Sequence, residues 1–326
     1  MLTYGKIDGG LAVYGGGFDI KKTALSGQIF RYFEKDGGYL ILSGENAAEC
    51  VECGATALGI TECGVQFEKS GNVDVQFGKA DGKENIGGGQ AVKDGGVSDG
   101  SKKILKIITK NADYFINYFD LNKNYDIINA RYADNPSISA ALRYSEGIRL
   151  LKQDRFETVI SFIISANNNI PRIRAIIERL CAAAGRDCGG YRAFPDADGM
   201  KDLSEDFYKR IGAGYRAEYL VKTVRAVNDG FDLAELSGMS TEDAHRRLMR
   251  LSGVGPKVAD CILLFAYGKG DVFPVDTWIK KSAREYFGID CDGDIKKIRR
   301  ELIGLFSLDS GIIQQYVYYY ARNNPS

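Results

Sequence analysis

Histidine is almost absent from this sequence, with His245 the single one among 326 residues. This scarcity excludes zinc sites built from several histidines and disfavours Ser-His-Asp and Cys-His enzymes. No apolar run approaches the roughly 20 residues that a membrane span requires, so we expect no membrane contact. The seven cysteines are scattered and odd in number, which favours a reduced, intracellular protein over a disulfide scaffold. The chemistry must rest on lysine, carboxylate, cysteine or a bound cofactor.

Net charge is absent as well, because 43 Lys and Arg residues balance 43 Asp and Glu residues. An anionic partner would therefore have to be held by a local basic face and by backbone amides, not by the field of the whole protein. A hydrophobic content of 44% and a charged content of 26% are ordinary for a globular protein. The length is sufficient for two domains.

Two regions of different pattern divide the chain. Residues 11–67 contain short apolar runs separated by turn residues, a pattern typical of strands. Residues 68–101 are rich in glycine and short polar side chains, and we predict a mobile loop there. From residue 102 onward, apolar residues recur at helical spacing. The prediction is an α+β protein, with an N-terminal antiparallel β-sheet domain over residues 1–122 and a larger all-α domain over residues 123–326.

A helix-hairpin-helix is predicted at residues 241–268. Two glycines within three residues can adopt backbone angles that other residues avoid. Pro256 suits the first turn of the second helix, where its missing N–H is no loss. Bare amides at a helix N-terminus bind anions, and Lys257 lies within one turn of them. The candidate phosphate contacts are the turn residues Gly253, Val254 and Gly255.

Asp276 follows Lys257 by nineteen residues and is a good N-cap for another helix. One helix and a short turn separate the two residues, so the fold can bring the Asp276 carboxylate close to Lys257. A lysine in an apolar cleft near a helix N-terminus has a lowered pKa and can act as an amine nucleophile, which a carboxylate can support. The alternatives are a plain capping aspartate and a surface lysine that contacts phosphate.

The chain resembles the helix-hairpin-helix DNA glycosylases, on the hairpin together with Lys257 and Asp276. Three further stretches are similar to the 8-oxoguanine DNA glycosylase/lyase branch, and they occur in the family's order: Ser26-Gly27-Gln28-Ile29-Phe30-Arg31, Ser165-Ala166-Asn167-Asn168-Asn169-Ile170-Pro171-Arg172 and Gly212-Ala213-Gly214-Tyr215-Arg216-Ala217. The resemblance covers nearly the whole chain apart from about residues 68–101. The C-terminal four-cysteine loop of the endonuclease III relatives is absent.

This resemblance implies a base-excision repair enzyme that takes 8-oxoguanine, opposite cytosine, out of the duplex and into a pocket. Lys257 would attack C1′ and displace the base, and the abasic strand would then be nicked by β-elimination. Asp276 would stabilise the oxocarbenium-like transition state. No cofactor is required, although a structural monovalent or divalent cation on the hairpin fits the family. The expected partner is double-stranded DNA containing oxidised guanine, bound by a monomer.

In the base pocket, the resemblance implies that the Gly27 carbonyl accepts the extra N7–H of the oxidised base. Read without the family, Gly27 is a turn glycine. The base would be sandwiched between Cys261 and an aromatic residue near the C-terminus. Two registers, one residue apart, are open for the residue that reads the base edge and for this aromatic: Gln314 with Tyr318, or Gln315 with Tyr319.

Opposite the lesion, the resemblance implies that Asn167, Arg172 and Arg216 hold the unpaired cytosine, whose acceptors suit arginine donors. Tyr215 would be the wedge that enters the emptied stack. Taken singly, these residues are a helix-terminating loop and solvated surface arginines.

Trp278 stands where relatives in animals carry a phosphate-binding histidine, and its indole N–H can donate to a phosphate but carries no charge.

Two other functions remain open: a helix-hairpin-helix glycosylase for a different oxidised base, and a non-catalytic protein that binds distorted DNA. The Lys257–Asp276 pair disfavours the second, since a pure binder has no use for a carboxylate near its phosphate site.

Cys50, Cys53 and Cys63 supply three ligands where zinc needs four, so we predict no metal site.

Overall fold

The computed structural model describes residues 2–35, 37–53 and 104–324. The described strands are β1 (Thr3–Ile7), β2 (Gly10–Tyr14), β3 (Tyr32–Lys35), β4 (Gly38–Ser43), β5 (Asn46–Cys53) and β6 (Ile104–Ile108). They form one sheet in the order β1-β2-β6-β5-β4-β3, and every neighbouring pair is antiparallel. The predicted mobile loop at residues 68–101 lies outside the described residues.

Two helices, α1 (Ile20–Leu25) and α2 (Ala112–Tyr118), pack with the sheet. Their apolar side chains and those of the strands form a common core, which includes Leu11, Ala24, Ile41, Ile107 and Phe115. Residues 11–67 are predicted to be mainly strands, and the structure has one helix, α1, within this range. Asp19 caps this helix by accepting a 2.8 Å hydrogen bond from the Lys22 amide, and this polar start outweighs the strand pattern around it.

The remaining helices form the larger, all-α part of the chain. They are α3 (Asp126–Tyr132), α4 (Ser139–Tyr144), α5 (Arg155–Ser165), α6 (Ile170–Ala184), α7 (Glu205–Arg210), α8 (Arg216–Asn228), α9 (Thr241–Leu248), α10 (Pro256–Tyr267), α11 (Thr277–Phe287), α12 (Ile295–Phe306) and α13 (Ser310–Asn323). The predicted α+β class is confirmed, whereas the boundary at residue 122 stays a prediction. Among the described helices, none is long and apolar enough to cross a membrane.

The helices are divided between two apolar clusters. One is built mainly from α5, α6, α8, α9 and α10. The other is built mainly from α3, α4, α11, α12 and α13. Lys257 belongs to a helix of the first cluster and Asp276 precedes a helix of the second, so the predicted pair lies where the two clusters meet.

Arg149 connects three separate chain segments in the interior. It is 1% exposed, and its guanidinium donates to the backbone carbonyls of Gly17, Phe119, Asp120 and Lys123. The hydrogen bonds to Phe119 and Asp120 are buried, so those two carbonyls would lose their partner away from solvent without Arg149. Arg149 therefore holds the loop before α1 and the segment after α2 against the helical part.

Replacing Arg149 by Met should lower the free energy of unfolding by at least about 3 kcal/mol, because several carbonyls would lose their donor. Urea denaturation measures the change. The exposed Arg143 on α4 provides the matched control, and its replacement by Met should change the free energy by less than about 0.5 kcal/mol. Equal effects of the two substitutions would contradict this role for Arg149.

Candidate active site

The hairpin between α9 and α10 exposes backbone amides. Gly253 has a φ of +82°, and a Cβ there would lie 2.8 Å from Cβ of Tyr219, so a side chain does not fit. The Thr223 hydroxyl donates a 2.8 Å hydrogen bond to the Ser252 carbonyl and fixes the turn. Gly255 caps α10 without a side chain, which leaves the first-turn amides available to an anion.

His245 has a structural position beneath this hairpin. Its Nε2 lies 3.2 Å from the Pro256 carbonyl oxygen and 3.4 Å from Oδ1 of Asp260. Asp260 is 1% exposed, and its two oxygens accept from Arg299 at 2.6 and 2.8 Å. Burial raises the pKa of the Asp260 carboxyl, although Arg299 opposes the shift. Because a buried carboxylate without its partner is costly, Arg299 anchors the second helix of the hairpin.

Lys257 lies in the first turn of α10, with its Nζ 5.4 Å from the centroid of the Phe162 ring. Cys261 follows one turn later on the same face of the helix and lines the same cavity as the lysine. Burial disfavours the ammonium, whereas the Asp276 carboxylate and, where it is ionised at high pH, the Cys261 thiolate favour it, and the pKa of Lys257 stands above its ordinary value. The lowered pKa expected from the sequence is wrong, because that expectation considered the apolar cleft without these two neighbours.

At neutral pH, the Asp276 carboxylate supplies the negative charge that favours the ammonium of Lys257. Burial raises the pKa of the Cys261 thiol to about 11, so the thiol is uncharged there and supplies no negative charge to the ammonium. The Asp276 carboxylate caps α11 by accepting a 2.9 Å hydrogen bond from the Ile279 amide, and it lines the same cavity as Lys257. Capping and support of the lysine are therefore compatible at this residue.

One cavity collects the residues predicted for catalysis and for the base pocket. It lies between α10, α11 and α13 and is closed on one side by the turn after α1. Its lining residues are Gly27, Phe162, Lys257, Cys261, Phe265, Pro274, Asp276, Gln314, Gln315 and Tyr318. All six residues predicted for these two roles are among them.

The two neighbouring glutamines that line this cavity differ in their hydrogen bonds. Gln315 donates a 2.7 Å hydrogen bond to the Ser26 carbonyl and so connects α13 to the turn after α1. Gln314 donates to the Pro274 carbonyl at 3.3 Å, and its buried Oε1 has no hydrogen-bond partner among the described residues. An unpaired buried acceptor at a cavity wall suits a ligand that brings a donor. Gln314 is thus the glutamine with hydrogen-bonding capacity to spare.

The tyrosines of the two registers lie in different places. Tyr318 lines the cavity beside Gly27, whose φ is +81° and whose Cβ, if present, would lie 3.2 Å from Cε1 of Tyr318. Tyr319 is 8% exposed and packs in the second apolar cluster, with its ring centroid 5.6 Å from that of the exposed Tyr144. Of the two candidate aromatics, the structure brings Tyr318 to the cavity.

The residues predicted to face the opposite base form a second group, in the loop after α5 and at the start of α8. Asn167 has a φ of +48°, and its carbonyl accepts from Arg216 at 2.7 Å. The Ala166 carbonyl accepts from Nε of Arg216 at 2.7 Å and from the Tyr215 hydroxyl at 3.3 Å. Tyr215 is 55% exposed, although its hydroxyl contacts this loop. The group is therefore preassembled around two backbone carbonyls.

The two arginines of this group differ. Arg172 is exposed and donates to the Gly212 carbonyl at 3.1 Å, so part of its guanidinium remains available. Arg216 is 3% exposed and donates to three backbone carbonyls, so the alternative of a solvated surface arginine is wrong for it. The Tyr215 ring centroid lies 6.0 Å from that of Tyr219, which contacts the hairpin glycine. This contact connects the second group to the hairpin.

Two residues that lie at or beside the cavity were not identified from the sequence. Phe162 lies beside the apolar stripe of α5, and its ring stacks on Phe265 with centroids 5.6 Å apart. The sequence feature that could have identified Phe162 is a large aromatic side chain outside that stripe. Arg322 contacts Tyr318 and the Gly27 turn from outside the cavity, and no local pattern marks it.

Cys50 and Cys53, which were considered as zinc ligands, have different environments in the sheet. Cys50 is fully buried in the core, Cys53 is partly exposed at the end of β5, and Cys63 lies outside the described residues. In the described part of the chain, no group of three His, Cys, Asp or Glu residues could hold a metal ion.

Two family models match the chain consecutively. Residues 11–159 match the model of the 8-oxoguanine DNA glycosylase N-terminal domain, and residues 160–307 match that of the HhH-GPD superfamily base excision DNA repair proteins. A probable N-glycosylase/DNA lyase of Methanothermobacter thermautotrophicus is 35% identical over 54% of this chain and 63% of its own length. The N-glycosylase/DNA lyase of Saccharomyces cerevisiae is 35% identical over 50% of this chain and 49% of its own. The match thus spans about half to three fifths of these curated relatives.

A solved structure matches over nearly the full length of both chains. It is the crystal structure of the Clostridium acetobutylicum 8-oxoguanine glycosylase/lyase in complex with double-stranded DNA containing cytosine opposite 8-oxoguanine. It has a TM-score of 0.79 and 30% identity, and the match covers 100% of this chain and 99% of the other. With the two consecutive models, this match shows that the chain belongs to the 8-oxoguanine DNA glycosylase/lyase family of the HhH-GPD superfamily.

Proposed function

We propose that this chain excises 8-oxoguanine opposite cytosine from double-stranded DNA and then nicks the abasic strand. The observation that carries the proposal is the shared cavity of Lys257, Asp276 and Cys261, one turn inside an anion-binding hairpin. The hairpin amides hold a phosphate, which brings the neighbouring sugar to the lysine. Family membership supports the same reaction.

The first step is displacement of the base by the lysine. The duplex releases the damaged nucleotide into the cavity, since C1′ is inaccessible in the stack. The ammonium of Lys257 first loses a proton to solvent. The neutral amine then attacks C1′, the C1′–N9 bond breaks, and its electron pair leaves with the base. The base gains the proton that the lysine nitrogen gives up. Asp276 stabilises the positive charge that develops on the sugar.

The second step breaks the strand. The lysine nitrogen opens the sugar ring, and O4′ takes a proton as the protonated imine forms. Loss of a proton from C2′ then expels the 3′ phosphate by β-elimination. Water hydrolyses the imine and releases Lys257. These steps require no metal or organic cofactor, and a monovalent or divalent cation on the hairpin carbonyls would help only to hold the phosphate.

The cavity offers contacts that distinguish the oxidised base from guanine. The carbonyl of Gly27 accepts the N7–H that 8-oxoguanine has and guanine lacks. Gln314 uses its spare Oε1 to accept from the base edge. Tyr318 and Cys261 contact the two faces of the ring. Guanine lacks this N7–H and would leave the buried carbonyl without a donor, which costs binding free energy. This cost gives the selectivity for the oxidised base.

The second group reads the unpaired cytosine and keeps the duplex open. Arg172 has donors to spare for the cytosine acceptors, and Asn167 lies in the loop that Arg216 holds. Tyr215 projects from the surface and replaces the extruded nucleotide in the stack. Arg216 donates to the carbonyls that shape this loop, so its contribution includes holding the readers in place. We further propose that the chain acts as a monomer, located with the DNA of the cell.

Lys257→Gln should abolish covalent trapping by borohydride on duplex containing 8-oxoguanine opposite cytosine, and lower excision at least about 1000-fold, because the nucleophile is lost. Gel electrophoresis of the trapped complex measures the first effect. Lys201→Gln, at an exposed lysine paired with Asp198, is the matched control and should trap normally. Trapping of the unaltered chain on an oxidised pyrimidine but not on 8-oxoguanine would instead reassign the substrate.

Asp276→Asn should lower the maximal trapping rate about 100-fold, because the carboxylate that stabilises the transition state is removed. The same carboxylate raises the pKa of Lys257, so its removal lowers that pKa. The amine then becomes neutral at lower pH, and the rising limb of the pH–rate profile should shift in the acidic direction. Asn remains a good N-cap, so α11 is preserved. An unshifted limb would contradict the assigned pairing.

Arg172→Ala should reduce the preference for cytosine over adenine opposite the lesion by about tenfold, within the range of one arginine–base contact. Single-turnover excision on duplexes with each of the four opposite bases measures it. The exposed Arg210 on α7 supplies an Arg→Ala control that should keep the preference. Unchanged preference in Arg172→Ala would remove this residue from the cytosine site.

A further inference from the structure

The last helix, α13, holds two successive carbonyls of the turn after α1. Gln315 donates to the Ser26 carbonyl at 2.7 Å, and Arg322 donates through Nη2 to the Leu25 carbonyl. Gly27 is the next residue along the chain. The carbonyls that precede Gly27 are therefore fixed from the same helix that supplies Gln314 and Tyr318 to the cavity.

Arg322 also contacts the other side of this junction. Its Nη1 lies 3.5 Å from the Tyr318 hydroxyl, and its Cζ is 5.4 Å from the centroid of that ring. A Cβ on Gly27 would lie 3.1 Å from the same Nη1. One guanidinium thus touches the turn, the glycine and the tyrosine, although Arg322 itself does not line the cavity.

We propose that Arg322 is a positioning residue that fixes the separation of the Gly27 carbonyl from the Tyr318 ring, and so determines selectivity for the oxidised base. This inference rests on the proposed function, in which Gly27 accepts from the base and Tyr318 stacks on it. Arginine suits the task because its planar fork donates in two directions at once and stays charged. Lysine can make one of these contacts but not both.

The role predicts an effect on one step of the reaction and not on the other. Base excision needs the Gly27 carbonyl and Tyr318 at the right distance, because the base lies between them. Elimination at a preformed abasic site uses Lys257 and the hairpin, but no base is present to be held. A positioning residue of the base pocket should therefore affect excision alone, whereas a residue required only for folding should affect both steps.

The test is Arg322→Met, which keeps the apolar stem of the side chain and removes the fork. Single-turnover excision of 8-oxoguanine opposite cytosine should fall by about 10- to 100-fold, the effect of a small misplacement of bound substrate. Strand cleavage at an abasic site opposite cytosine should stay within about twofold. Arg322→Lys should restore part of the excision rate, and the exposed Arg143→Met is the matched control that should leave both rates unchanged.

The outcomes separate this inference from the function on which it rests. Loss of both activities in Arg322→Met, or excision at the rate of the unaltered chain, would overturn the positioning role. Equal rates in Arg322→Lys and Arg322→Met would overturn the argument from the arginine fork. Absence of both activities in the unaltered chain would refute the proposed function and this inference with it.

Discussion

A lysine ammonium loses its hydration when it enters an apolar cavity, and here it meets the Phe162 ring and a thiol that is uncharged at neutral pH. The burial must be offset by a negative charge, and Asp276 supplies it. In the proposed reaction, the same carboxylate later stabilises a cationic sugar. The arrangement of α10 and α11 follows from this need, because their N-terminal ends have to meet at one cavity although their side chains pack into different apolar clusters.

Buried polar contacts add to the apolar clusters in keeping that meeting point in place. Asp260 and Arg299 fix α10 against α12, and Arg149 fixes the segments around α1 against the helical part. Apolar packing tolerates small shifts, whereas a buried carboxylate or carbonyl loses its partner with a shift of less than 1 Å. Such contacts give a cavity wall the precision that recognition of a single extra N–H requires.

Sequence patterns predicted the elements whose causes are local. The hairpin glycines, the Asp276 cap and the helical periodicity after residue 102 are of this kind, and α9 and α10 occupy the predicted range 241–268. The choice between Tyr318 and Tyr319 was not local, since it depends on how α13 is rotated against α4 and the Gly27 turn. The raised pKa of Lys257 likewise depends on neighbours that only the assembled fold brings together.

The contacts between α13 and the turn after α1 join residues 289 and 297 positions apart in the chain. Long-range contacts of this kind form late, because the intervening chain must be ordered first. During synthesis, a ribosome releases the hairpin, Lys257 and Asp276 well before α13 emerges. A nascent or prematurely terminated chain would then carry the reactive amine and its carboxylate but no closed recognition pocket, so selectivity for the damaged base is acquired only when the last helix docks.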